Sequence, residues 1–112
     1  EATFAKAHIA SYEQQLGSSN FNKELYGNGP VTRPGVKYTI IEGRYDDTVV
    51  PFTNAFLHEP GVKNILVQDT CRNDHASHVN FTYDVNVYQM AVNALDPDHA
   101  QPVTCVPQPF IG

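Results

Sequence analysis

Residues 36–47, VKYTIIEGRYDD, and residues 62–71, VKNILVQDTC, decide how this chain folds. Val36 to Glu42 is β-branched and aromatic, with Gly35 before it and Gly43 after it. That pattern predicts a strand buried on both faces. Val62 to Gln68 repeats it behind Pro60 and Gly61 and predicts a second strand. Each strand runs into polar residues: Asp46, Asp47 and Thr48 follow the first, and DTCRNDHASH, residues 69–78, follows the second.

Working outward, helical spacing surrounds the strands. Phe4, Ala7, Ile9, Tyr12 and Leu16 recur at loosely helical intervals across residues 2–16, with Gly17 as a C-cap. Ser18 or Ser19 is placed to cap a short second helix through FNKELY, residues 21–26, which Gly27, Asn28, Gly29 and Pro30 end. Between the strands, VVPFTNAFL, residues 49–57, reads as a loop passing into a short helix, with Pro51 near its start. Residues 84–95, DVNVYQMAVNAL, set Val87, Met90, Ala91 and Ala94 on one helical face behind Asp84 as N-cap, and a proline-rich tail closes the chain. Helices alternating with strands imply parallel pairing through crossovers, the α/β class. Two strands make an incomplete sheet, so residues 1–112 are expected to be the C-terminal portion of one larger α/β domain.

Composition removes whole classes of function. Seven basic residues against twelve acidic ones, a net charge of -5 and no Lys or Arg run give no footprint for a nucleic-acid backbone. No apolar run approaches the roughly 20 residues of a spanning helix, and Glu1 opens the chain without signal-like residues, so any targeting segment is expected to have been removed. The two cysteines, Cys71 and Cys105, suit one bridge in an oxidising compartment. They lack the spacing of a zinc site.

In open α/β sheets, ligands gather beyond the carboxyl ends of the strands. The loops carrying Asp46 and His78 both follow such ends. A hydrolytic triad needs a buried carboxylate that holds an imidazole in one tautomer, and the α/β-hydrolase chain order is Ser, then Asp or Glu, then His. Asp47 adjoins Asp46, and His75 stands in the same loop as His78, so each partner has a competitor. Asp74, His75 and His78 could alternatively serve a metal-dependent hydrolase. His8, His58 and His99 are expected to face solvent, and Phe81 and Tyr83 to pack under the histidine loop.

YTIIEGRYDDTVVPFTNAFL (38–57), VKNILVQDTC (62–71), SHVNFTYD (77–84) and VNALDP (92–97) together resemble the secreted class 2 triacylglycerol lipases of the α/β-hydrolase superfamily. QQLGSSNFNKEL (14–25) and TRPGVKYT (32–39) extend the resemblance upstream, so it spans most of the chain. It implies that Asp46 is the triad carboxylate and His78 the triad base, that no cofactor is needed, and that the protein is secreted and cleaves lipid or other carboxylic esters. It also implies a departure. G-x-S-x-G is absent, and Ser11, Ser18, Ser19 and Ser77 lack the nucleophile-elbow context. The nucleophile and oxyanion hole are therefore expected on an N-terminal portion, without which this chain is inactive. A non-catalytic secreted binding or surface protein on the same scaffold is the alternative. Asn80, Phe81 and Thr82 form an N-x-T sequon beside the proposed base, which such a lipase leaves unmodified.

Overall fold

The computed structural model describes residues 9–112. The chain divides into two compact units, Glu1–Val36 and Lys37–Gly112.

In the first unit, α1 (Ala10–Gln15) and α2 (Asn20–Tyr26) form a short pair. The cap is Ser19, whose Oγ accepts from the Asn22 amide at 3.1 Å. Gly27 ends α2 at φ 60°, where a side chain would be strained. The Asn22 side chain also donates to the Leu16 carbonyl at 2.8 Å. The first helix stops at Gln15 because Leu16 is already extended, so Gly17 does not cap it. The expected helical residues 2–8 lie outside the described part.

The second unit is a small mixed α/β domain. Strands β1 (Tyr38–Glu42) and β2 (Val62–Leu66) pair in parallel, with Tyr38 opposite Val62 and Glu42 opposite Leu66. Both expected strands are trimmed: Val36 and Lys37 precede β1, while Val67 and Gln68 belong to α3 (Val67–Thr70). The short helix expected in the crossover is a 3-10 turn at Phe52–Ala55. A second 3-10 turn, Asn80–Tyr83, leads into α4 (Val85–Leu95), and a third spans Pro97–His99. Asp84 caps α4, with one carboxylate oxygen accepting from the Asn86 and Val87 amides.

Burial on both strand faces is not observed among the described residues. Thr39 and Lys63 are exposed, and β1 keeps only Glu42 buried. The reason is coverage: α4 packs against β1, and among the described residues of this unit no other helix of its length covers the sheet. The apolar centre is Val67, Cys71 and Met90, with Ile41, Ile65, Phe81, Val87, Val103 and Cys105 against it. Cys71 and Cys105 form a disulfide that ties the tail to this core. Buried polar residues outnumber it: Glu42, Gln68, Asp74, Ser77, Asn80, Asp84 and Asn86 are all at most 8% exposed. Such groups are stable only when hydrogen-bonded. Their partners shape the site.

Candidate active site

Asp46 stands in the loop leaving β1, on a turn whose Asp46 amide donates to the Gly43 carbonyl at 3.2 Å. Gly43 permits a close approach there, because a Cβ would meet the Phe81 ring at 3.0 Å. One Asp46 oxygen, Oδ1, accepts from the Thr48 and Val49 amides at 2.8 and 2.7 Å. The other, Oδ2, meets His78 Nδ1 at 2.9 Å, and Oδ1 is 3.2 Å from the same nitrogen. The Asp46 side chain is 7% exposed and that of His78 46%. Burial pushes the aspartate upward, but His78 and the Val49 and Thr48 amides outweigh it and hold the carboxyl below its ordinary value. The carboxylate is thus ionised, buried and fixed in direction. With Nδ1 donating to Asp46, the basic lone pair of a neutral His78 is on Nε2.

The competing residues do other work. Asp47 accepts from the His78 backbone amide at 3.2 Å, so the two aspartates hold the same histidine by different atoms. His75 packs edge-on to Tyr45 with ring centroids 4.8 Å apart, and its amide donates to the Gln108 carbonyl at 3.0 Å. The Asp74 carboxylate accepts from the Ala76 amide and Asn86 Nδ2. Among the described residues, no three His, Cys, Asp or Glu side chains converge as metal ligands. His58 and His99 are exposed, as expected, and His8 lies outside the described residues. Phe81 packs against the core, but Tyr83 is 63% exposed and does not support the loop.

The histidine loop is held mainly by the C-terminal tail. Asn80 Oδ1 accepts from the Ser77 amide and hydroxyl at 2.7 and 2.8 Å, while Asn80 Nδ2 donates to the Pro109 carbonyl at 2.9 Å. Ser77 Oγ also meets the Ile111 carbonyl. Ser77 is 0% exposed and so is a structural residue beside His78. The sequon asparagine is 1% exposed with its amide engaged, so a glycan on Asn80 is incompatible with this loop. Asn86 extends the network, donating to Asp74 and the Val106 carbonyl and accepting from the Val106 amide.

Two further carboxyls are buried without a sequence expectation of burial, Glu42 and the helix cap Asp84. Glu42, 5% exposed at the end of β1, is pushed up to about 7, first by burial, while the Gly43 amide pulls it down and the Asp46 carboxylate raises it again. Its signal was an acid at the end of an otherwise apolar, β-branched strand. Asp84 Oδ2 is buried without an N–H or O–H donor among the described residues, and its side-chain neighbour is Asp74. Burial and then Asp74 raise Asp84 to about 6.

What fold and site define together is a mixed α/β unit presenting a buried carboxylate and an exposed imidazole from loops that follow its two parallel strands. No family model matches the chain, and no curated protein matches it.

Proposed function

We propose that this chain supplies the acid–base half of a serine hydrolase acting on carboxylic esters, of the secreted triacylglycerol lipase and esterase kind, within an α/β-hydrolase fold. The observation that carries the reading is the 2.9 Å Asp46–His78 hydrogen bond, made by an ionised, amide-anchored aspartate to an imidazole that is 46% exposed. Chain order supports it, with the carboxylate loop after one parallel strand and the histidine loop downstream of the next. The Cys71–Cys105 disulfide supports an oxidising compartment.

In this mechanism a serine outside the chain attacks the ester carbonyl carbon while His78 Nε2 takes the hydroxyl proton. Asp46 stabilises the imidazolium and fixes its tautomer. His78 then returns the proton to the departing alkoxide, which leaves as the alcohol, and an acyl-enzyme remains. Water, deprotonated by His78 in its turn, attacks the acyl carbon and releases the carboxylic acid and the free serine.

The test is hydrolysis of short- and long-chain p-nitrophenyl esters by the full-length protein that carries these residues. His78→Ala is expected to lower kcat by at least about 1,000-fold with the fold intact. Asp46→Asn is expected to approach the same loss, because an amide favours the wrong tautomer. Unchanged hydrolysis in His78→Ala would remove the reading.

A further inference from the structure

Arg44 and Arg72 meet at one cavity, on segments that follow the carboxyl ends of the two parallel strands. Arg44 lies just past β1, and Arg72 just past α3, the helical turn that continues β2. With Tyr45, Gln68 and Asp69 they line a space of about 380 Å³. Among the described residues neither guanidinium makes a hydrogen bond or an ion pair. Yet the chain has twelve acidic residues to its seven basic ones, so acceptors are not scarce. Two like charges that share a cavity repel each other unless an anion joins them.

The backbones beneath the two side chains are held in place. The Arg44 amide donates to Gln68 Oε1 at 2.8 Å, and Gln68 Nε2 donates to the Asp74 carbonyl at 2.8 Å. Gln68 is 8% exposed, so a buried amide fastens the Arg44 segment to the loop that carries Arg72. Arg72 itself sits within a turn whose Asp74 amide donates to the Cys71 carbonyl at 3.1 Å, and Cys71 is bridged to Cys105. The Tyr45 ring is braced edge-on by His75. A framework ordered in advance lowers the cost of fixing a ligand between the two cations.

We propose that Arg44 and Arg72 form a binding site for an organic monocarboxylate. The charge of the lining selects the ligand. Two guanidiniums and the Asp69 carboxylate leave a single net positive charge, which suits a monoanion, whereas a phosphate dianion meets the repulsion of Asp69. The guanidinium fork also matches a planar carboxylate through two parallel N–H···O bonds. The assignment goes beyond the hydrolase reading and does not need His78 to be catalytic.

The experiment is a titration of the isotope-labelled full-length protein with sodium butyrate at constant ionic strength, followed by the NMR resonances of the arginine Nε–Hε groups. Sodium phosphate and butanol serve as comparison ligands. Butyrate is expected to shift the Arg44 and Arg72 signals saturably, with a Kd on the order of 1 mM, to leave Arg33 unmoved and to bind more tightly than phosphate. Butanol is expected to shift neither signal. Arg44→Gln and Arg72→Gln are each expected to weaken butyrate binding about tenfold. Asp69→Asn is expected to tighten phosphate binding more than butyrate binding. Shifts that do not saturate, or that appear equally at Arg33, would overturn the proposal, as would butyrate affinity unchanged in both arginine variants. Phosphate binding more tightly than butyrate to the wild-type protein would overturn the assignment of the ligand as a carboxylate.

Discussion

Truncating Asn86 to Ala strikes the point where helix, histidine loop and tail are joined. The side chain is 1% exposed and makes three hydrogen bonds outside its own helix: to Asp74 Oδ2 at 2.9 Å, and to the carbonyl and amide of Val106 at 2.8 Å each. An ordinary hydrogen bond contributes about 1 kcal/mol and one to a charged group about 1.5–3 kcal/mol, and a buried partner left unpaired costs more. The sum is a loss of about 4 kcal/mol, a large share of the roughly 5–15 kcal/mol that holds a typical domain folded. Urea unfolding with the disulfide intact measures it, and hydrogen exchange at the Val106 and His75 amides localises it to the tail and its bridge with the loop. Asn86→Asp separates packing from charge, because a third carboxylate beside Asp74 and Asp84 destabilises more at pH 7 than at pH 4. Stability of Asn86→Ala within about 0.5 kcal/mol of wild type, the margin of an ordinary surface change, with Val106 protection unaltered, would refute the assignment of Asn86 as the linchpin.

Other perturbations test separate contacts. Asp47→Ala removes the acceptor of the His78 amide but leaves the ring contact, so ester turnover should fall only several-fold, against at least about 1,000-fold for His78→Ala. Replacing Cys71 and Cys105 by Ser opens a loop of sequence separation 34, which should lower the unfolding free energy by about 4 kcal/mol on the chain-entropy estimate. Glu42 and Asp84 have folded pKa values raised to about 7 and about 6. The folded state therefore holds more protons than the unfolded state across pH 4–7, and stability from both groups, complete at the acid end, is lost as pH rises. For Glu42 that loss is at most about 3 kcal/mol. Asp84→Asn, which keeps a good N-cap and removes the clash with Asp74, should stabilise the protein above pH 6 in urea titrations.

The elements were legible where local chemistry acts alone. Val and Ile runs bounded by glycine predict both strands, Ser19 predicts the start of the second helix, and Asp84 predicts the last. That Asp46 and His78 come together was legible from chain order and the resemblance, and the disulfide from the two cysteines. The division of labour between Asp46 and Asp47 was not, because adjacent aspartates differ only in which atom of a residue 31 or 32 positions away they meet. The polar interior was illegible for a related reason. Asp74 and Asn80 read as polar loop residues and Asn86 as one position of a helix, and only tertiary pairing with one another, Val106 and Pro109 explains their burial. Val67 and Gln68 read as strand because they continue the run opened by Pro60 and Gly61, yet the backbone turns helical at Val67 and ends that helix at Cys71, whose sulfur bridges to Cys105.

In the proposed reaction His78, oriented by Asp46, activates a serine carried outside these 112 residues. Its most direct test is labelling of the full-length protein with a fluorophosphonate, followed by digestion and mass mapping of the modified residue in wild type and His78→Ala. One modified serine is expected, outside this chain and in a G-x-S-x-G context, with a labelling rate that collapses in His78→Ala. Labelling of a serine within this chain, or labelling that proceeds at the wild-type rate without His78, would contradict it.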